Sequence, residues 1–212
     1  MNFLKKIDKY DTNICFTDEK EKKTLYKNVL TKGEILSRNL KSRSLILVLA
    51  QNHPEFFVSY VGFFRRGLVQ MLLDPKISNN ILKKLIEAYV PNYIFLPKLR
   101  SKGLKNYEVL GELDTHIILK LNNDNFYSIN KDLVLLLSTS GSTGSKKFAR
   151  ISYENIYQNT KSITNFLEIN EHHRTITTMP PFYTYGLSVI NTHLFMGASI
   201  LLTNFRAIEK SF

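Results

Sequence analysis

Short, uninterrupted apolar runs alternate with amphipathic segments along most of the chain. Residues 44–50 and 68–73 are two such runs, rich in Leu, Val and Ile, which is typical of strands buried on both faces of a parallel sheet. The segment between them begins near Pro54 and ends at Arg65-Arg66-Gly67, where cations and a glycine suit the carboxyl end of a helix. This alternation predicts an α/β fold, with a mostly parallel sheet and helices on both of its faces.

Further elements continue this pattern to the end of the chain. Apolar residues at near-helical spacing predict a helix over 24–40, and Ser78 is placed to cap another helix. Because the last elements need cover on more than one side and little sequence follows them, we expect a large exposed apolar patch near 185–202. The remaining predictions are a helix over 186–195 and strands at 93–96, 107–110, 116–121, 132–138 and 198–202.

Composition narrows the class of protein. The chain has 212 residues, of which 43% are hydrophobic and 12% aromatic, which excludes intrinsic disorder. It has no apolar run of about 18 residues that would span a membrane. Residues 1–10 are not followed by the apolar stretch of a signal peptide, and the single cysteine, Cys15, cannot form an internal disulfide. These features favour a cytoplasmic protein.

The net charge is strongly positive, because 29 Lys and Arg outnumber 18 Asp and Glu and leave a formal charge of +11. A charge of this size can indicate a surface that binds nucleic acid. The basic residues occur in small groups beside predicted turns and on polar helix faces, and they do not form one stripe. We therefore interpret most of them as solvated surface lysines and keep nucleic-acid binding only as a minor alternative.

The most unusual segment follows the predicted strand 132–138 and consists of residues 139–147, Thr-Ser-Gly-Ser-Thr-Gly-Ser-Lys-Lys. Small residues let a backbone approach a ligand closely. Backbone N–H groups, hydroxyls and lysines together suit a polyphosphate. A flexible Ser/Gly turn would have the same composition. The spacing of an ordinary nucleotide-binding P-loop is absent, because Lys146 occupies the position where that motif needs glycine.

This loop resembles the phosphate loop of the adenylate-forming (AMP-dependent synthetase/ligase) superfamily. That superfamily contains acyl-CoA synthetases, nonribosomal peptide adenylation domains and luciferases. Lys146 and Phe148 depart from the family pattern, which has Pro and Gly at these positions. The positions that match are Thr139, Ser140, Gly141, Ser142, Thr143, Gly144 and Lys147.

Other segments resemble the same superfamily and occur in its order. Residues 52–56 are similar to N-S-P-E-F, and residues 63–75 are similar to L-K-A-G-x-x-x-V-P-L-D-P. Residues 151–156 look like the segment that opens the next helix, for which Ser152 is the natural N-cap. Residues 178–187 resemble L-P-x-F-H-x-x-G-L, with tyrosine in place of the frequent histidine. The resemblance therefore extends over nearly the whole chain.

The resemblance implies that a carboxylic acid is activated by ATP as an acyl-adenylate, with pyrophosphate released. The matching loop residues, from Thr139 to Lys147, would hold the phosphates of ATP, and Mg²⁺ is expected with the nucleotide. Tyr183, Tyr185 and Gly186 would border the substrate pocket. CoA, a carrier protein or another nucleophile would then accept the acyl group. No catalytic residue is assigned, because the late lysine of the family has no counterpart here. No metal ligand is assigned either, because the resemblance implies a later Glu that has no counterpart in these residues.

The resemblance also implies a division of the chain. Residues 1–43 would be a helical segment that packs with the second subdomain, 44–152 an α/β subdomain that carries the phosphate loop, and 153–212 the incomplete start of the second subdomain. We expect an N-terminal part of a ligase, inactive alone, whose other half is lost or is supplied as a separate chain. The alternative hypothesis is a non-catalytic nucleotide-binding remnant. A basic nucleic-acid-binding domain is a third hypothesis, which the sequence favours less.

The histidines are not assigned to any site. His172 and His173 look like a metal pair, but adjacent residues point in different directions, and we interpret them as solvated residues of a turn. His116 opens a predicted strand, and His53 lies in the 52–56 segment at a position that is small and polar in the family.

Overall fold

The apolar runs form strands close to the predicted places in a computed structural model, which describes residues 3–122, 128–138 and 147–204. The chain begins with a 3₁₀ helix, Phe3–Tyr10. The helices are α1 (Tyr26–Ser37), α2 (Pro54–Arg66), α3 (Asn79–Tyr89), α4 (Lys98–Ser101), α5 (Tyr153–Phe166) and α6 (Thr184–Met196). The strands are β1 (Ile14–Thr17), β2 (Lys23–Leu25), β3 (Leu45–Leu49), β4 (Val69–Leu73), β5 (Tyr93–Pro97), β6 (Tyr107–Glu112), β7 (His116–Leu121), β8 (Leu133–Ser138), β9 (Phe148–Ser152), β10 (Arg174–Thr177) and β11 (Ser199–Leu202).

The larger sheet has seven strands in the order β6-β7-β5-β3-β4-β8-β9. Strands β5, β3, β4 and β8 are parallel to one another and form its centre. Strands β7, β6 and β9 add antiparallel edges. The prediction of an α/β fold is confirmed, although the apolar pattern alone did not distinguish the antiparallel edge strands from the parallel centre.

Each face of this sheet is covered by helices. Along β3, side chains alternate between two clusters of buried residues because successive residues of a strand point to opposite faces. Ile46 and Val48 pack in the same cluster as the aromatic residues of α2. Leu47 and Leu49 pack in the other, to which α3 contributes buried leucines. Burial on both faces explains why the central strands are continuous apolar runs.

The smaller sheet combines the two ends of the described chain, in the order β10-β11-β1-β2. Strand β1 pairs in parallel with β11, and Phe16 lies opposite Ile200. The sequence pattern did not predict β1, since its apolar run is only three residues long, Ile14 to Phe16. Cys15 lies in this strand, where burial raises the pKa of its thiol well above the ordinary range. Among the residues with described positions, no helix is both long and apolar enough to cross a bilayer.

The expected exposed patch near 185–202 is wrong. Leu187, Ile190 and Leu194 of α6 are buried in the main core cluster together with Leu4 and Ile7 of the 3₁₀ helix. Within the described part of this segment, only Tyr185 is a large hydrophobic residue that is mostly exposed, at 67%. The N-terminal segment supplies the cover that the sequence pattern left unassigned.

Two glycines set the distance between α1 and α2. A Cβ placed on Gly62 would lie 2.4 Å from the carbonyl oxygen of Gly33, which no real side chain tolerates. A Cβ on Gly33 would likewise lie 2.8 Å from the carbonyl oxygen of Val58. The glycine that weakens the helical pattern of α1 is therefore the residue that lets the two helix backbones meet.

We expect the substitution Gly62→Ala to lower the free energy of unfolding by about 1–3 kcal/mol, since the added methyl group forces the helices apart. Urea denaturation followed by circular dichroism measures this change. Gly103→Ala is the control, because a Cβ there meets only the flexible side chain of Asn79 at 3.1 Å. Equal stability of the two variants would contradict the proposed contact.

Candidate functional site

The predicted phosphate loop leaves the large sheet where ligands bind in open α/β folds, outside the carboxyl ends of parallel strands. Strand β8 ends at Ser138, and the next described residue, Lys147, is exposed at the start of β9. Ser138 pairs with Phe148, so both ends of the loop are held side by side. The predicted phosphate-binding residues Thr139, Ser140, Gly141, Ser142, Thr143 and Gly144 lie outside the described residues, as does Lys146.

Phe148 has a packing role that accounts for one departure from the family pattern. Its ring meets that of Tyr89 edge to face, with the centroids 5.5 Å apart. It also packs against the core cluster between the sheet and α3. A glycine at this position could not make these contacts, so the base of the loop is anchored by an aromatic side chain.

An open cavity of about 260 Å³ lies beside β8, between α5 and α6. Its apolar wall is formed by residues from β8, β9, α5 and α6, namely Leu135, Leu137, Ile151, Ile156 and Leu187. Among the described residues that line it, none carries a charge. Its polar residues come from the two helices and are Asn155, Asn159, Thr184, Ser188 and Asn191.

Hydrogen bonds orient the polar side of this cavity. The hydroxyl of Tyr60 donates to Oδ1 of Asn191 over 2.8 Å in the buried core. Burial raises the pKa of Tyr60 well above its ordinary range, so this hydroxyl stays protonated as a donor. The hydroxyl of Ser188 contacts Oδ1 of Asn159 at 3.2 Å, across the gap between α6 and α5. The cavity thus presents amides and hydroxyls whose positions are defined by their neighbours.

The predicted pocket residues lie at the start of α6, and none of them lines this cavity. Tyr183 is the N-cap residue of α6, and both it and Tyr185 are exposed. Gly186 is buried, and a Cβ on it would lie 2.4 Å from the carbonyl oxygen of Pro180. The absence of a side chain at Gly186 therefore lets α6 lie close to the loop that precedes it.

The cavity residues that were missed in the sequence had a detectable signal. Thr184, Ser188 and Asn191 are spaced by four and three positions along α6, which places them on one face of the helix. Asn155 and Asn159 have the same spacing on α5. A polar stripe on a largely apolar helix is the pattern that would have identified them.

Asn52 follows β3 at the carboxyl edge of the parallel strands, and its side chain joins the two sheets there. It is only 6% exposed, and its side-chain nitrogen donates to the carbonyl oxygens of Thr177 at 3.1 Å and Thr203 at 3.0 Å. The carbonyl oxygen of Met179 also lies within 3.4 Å of this nitrogen. One amide therefore connects the loop after β3 to the ends of β10 and β11.

A second polar group lies at the same edge, where α2 begins. Nδ1 of His53 accepts the backbone N–H of Glu55 at 3.3 Å and caps the helix. Nδ1 of His116, at the start of β7, lies 2.7 Å from Oε2 of Glu55. Burial by itself would raise the pKa of Glu55, but hydrogen bonds from His116 and Thr115 outweigh it and lower that pKa to about 2. His172 and His173, by contrast, are exposed in a turn.

Comparison with known proteins indicates one family. The family model described as AMP-binding enzyme matches residues 23–210. The chain is 24% identical over 167 residues to gramicidin S synthase 2 of Brevibacillus brevis, covering 75% of this chain and 4% of that protein. It is 22% identical over 193 residues to 2-succinylbenzoate–CoA ligase of Bacillus pumilus (strain SAFR-032), covering 86% of this chain and 39% of that protein.

The fold is also found among solved structures. The crystal structure of ATP-bound MatB from Rhodopseudomonas palustris matches with a TM-score of 0.76 and 19% identity. The match covers 95% of this chain and 45% of the MatB chain. This chain therefore spans less than half the length of each of these three proteins.

We expect Asn52→Ala to lower the free energy of unfolding by about 1–3 kcal/mol, because buried carbonyl oxygens lose their donor. Chemical denaturation measures the change. Asn80→Ala is the control, since Asn80 is exposed on α3. If both variants unfold at the same denaturant concentration as the wild type, Asn52 does not join the sheets as described.

Proposed function

Because the chain belongs to the AMP-binding enzyme family, we propose that it provides the nucleotide-binding part of a ligase that activates a carboxylic acid with ATP. A carboxylate oxygen of the acid attacks the α-phosphorus, the bond between the α-phosphorus and the bridging oxygen breaks, and pyrophosphate leaves. The observation that carries this proposal is the position of the segment 139–147, which follows β8 at the carboxyl edge of the parallel strands.

The phosphates of ATP would be held by residues of this loop. Lys147 contributes positive charge beside the end of β8, and the hydroxyls and backbone N–H groups of Thr139, Ser140, Gly141, Ser142, Thr143 and Gly144 are the proposed donors. Such groups favour the negative charge that develops on the leaving pyrophosphate. Catalysis of this kind depends on positioning and charge stabilisation rather than on a general acid or base.

Mg²⁺ would reduce the charge of the bound polyphosphate. The described residues that line the cavity beside β8 include no carboxylate, so we assign the ion no protein ligand.

The acid would occupy the cavity beside β8. Its apolar wall suits an apolar portion of the substrate, and the hydroxyl of Ser188 and the amide of Asn191 suit a polar group. Tyr183, Tyr185 and Gly186 do not line this cavity, and we propose that they border the pocket from the start of α6, where both tyrosines are exposed and Gly186 is buried. A CoA ligase and a gramicidin synthase are both relatives, so CoA and a carrier-bound thiol remain equal candidates for the acceptor.

We expect Lys147→Ala to weaken ATP binding by about tenfold, equivalent to about 1.4 kcal/mol, since one cation near the phosphates is lost. Isothermal titration calorimetry with ATP measures this effect. The control is Lys83→Ala, which removes an exposed lysine from α3, on another element of the fold. An unchanged dissociation constant in Lys147→Ala would contradict the assignment of the loop.

We expect Ser188→Phe to weaken binding of the carboxylic acid by at least about tenfold while ATP affinity is retained, because the ring fills the cavity. Calorimetry with a panel of carboxylic acids measures this effect. Ser162→Phe is the matched control, since Ser162 is exposed on α5. Acid binding that persists in Ser188→Phe would place the acid elsewhere. ATP binding by the wild-type chain with no acid of the panel bound would instead favour the nucleotide-binding remnant.

A further inference from the structure

Three metal-ligating side chains from distant parts of the chain converge where α2 begins. His53 and Glu55 belong to the start of α2, and His116 belongs to the start of β7. One ligand atom of each lies within 4.8 Å of the others. His116 is 1% exposed, Glu55 8%, and His53 is half-buried, so this cluster is not an arrangement of surface charges.

His116 is held in one orientation by its neighbours. Nδ1 lies 2.7 Å from Oε2 of Glu55 and 2.8 Å from the hydroxyl oxygen of Thr115. Glu55 is itself fixed, because it accepts hydrogen bonds from the backbone N–H of Thr115 at 3.0 Å and from the Thr115 hydroxyl at 2.8 Å. On its face, the imidazole stacks on Phe95 at 5.1 Å with an interplanar angle of 14°.

The second ring nitrogen of His116, Nε2, has no hydrogen-bond partner among the described residues. In the tautomer that donates Nδ1–H to the carboxylate of Glu55, the lone pair of the imidazole is on Nε2. That Nε2 is buried. A carboxylate on one imidazole nitrogen and an open lone pair on the other is the arrangement found in histidines that bind metals.

His53 supplies a second imidazole to the same place. Its ring centroid lies 5.2 Å from that of His116. Its Nδ1 is used to cap the helix, which leaves Nε2 as the nitrogen able to coordinate.

We propose that His53 and His116 bind a divalent transition-metal ion of the zinc class, with Glu55 orienting His116 and supplying negative charge. Two imidazoles beside a carboxylate suit zinc, copper or nickel better than magnesium or calcium, which prefer oxygen ligands. Ligand atoms about 2.0–2.1 Å from zinc lie roughly 3–4 Å apart, and each of the three side chains here offers an atom within 4.8 Å of the others. The ion would connect α2 to the start of β7.

The test uses the full 212-residue chain without a histidine tag, treated with EDTA and then dialysed free of it. Zn²⁺ binding is followed by calorimetry, and Co²⁺ binding by visible absorption. We expect one ion per chain and a higher unfolding temperature with Zn²⁺. His53→Asn should weaken binding at least about tenfold while keeping the helix cap, because asparagine is a good N-cap residue. His172→Ala, in the exposed turn, is the control and should bind as the wild type does.

A second measurement addresses His116 directly. In ¹⁵N-labelled protein, Zn²⁺ should shift the Nε2 resonance of His116 and leave that of His172 in place. This readout does not depend on a variant at a buried position. Absence of saturable binding, equal binding by the wild type and His53→Asn, or an unshifted His116 ring would each overturn the proposal and leave a buried water as the partner of Nε2.

Discussion

The central parallel strands must be covered on both faces, and most of the architecture follows from this constraint. Strands β3 and β4 are buried at every position. Backbone polar groups there are paired within the sheet, so the cover has to be apolar, and α2 and α3 provide it on opposite sides. Parallel strands also bring their carboxyl ends to one edge. The end of β8 and the start of α2 therefore lie at the same edge of the sheet, although about 84 residues separate them in sequence.

The two sheets share one apolar core cluster, and a small number of buried polar groups add to it. Asn52 reaches the ends of β10 and β11. At the smaller sheet, the hydroxyl of Tyr26, directly after β2, donates to the carbonyl oxygen of Ala198, directly before β11, over 2.8 Å. Tyr60 extends from α2 to Asn191, which lines the cavity. Each bond satisfies a polar group that would otherwise be buried alone, so the same contacts that join the sheets also orient the candidate substrate cavity.

Local signals explain which parts of the site were predictable. The loop 139–147 was visible because glycines, hydroxyls and lysines follow one another within nine residues. The polar stripe of α6 had a helical period and was overlooked, although it was in principle readable from Thr184, Ser188 and Asn191. The cluster at Glu55 had no such signal, because His116 lies 61 residues away and no spacing rule connects it to α2. The prediction of an exposed patch near 185–202 was wrong for a similar reason, because the residues that cover this segment lie at the other end of the chain.

By itself, the sequence determined the α/β class, most of the elements and the family resemblance of the phosphate loop. These depend on the period of apolar residues and on contiguous motifs, both of which are local. Only the tertiary structure decided that β1 joins β11, that the 3₁₀ helix covers α6, and that His53, Glu55 and His116 meet. Each of these depends on contacts between residues far apart in the chain. Such contacts are selected by the burial of whole surfaces, which no single segment encodes.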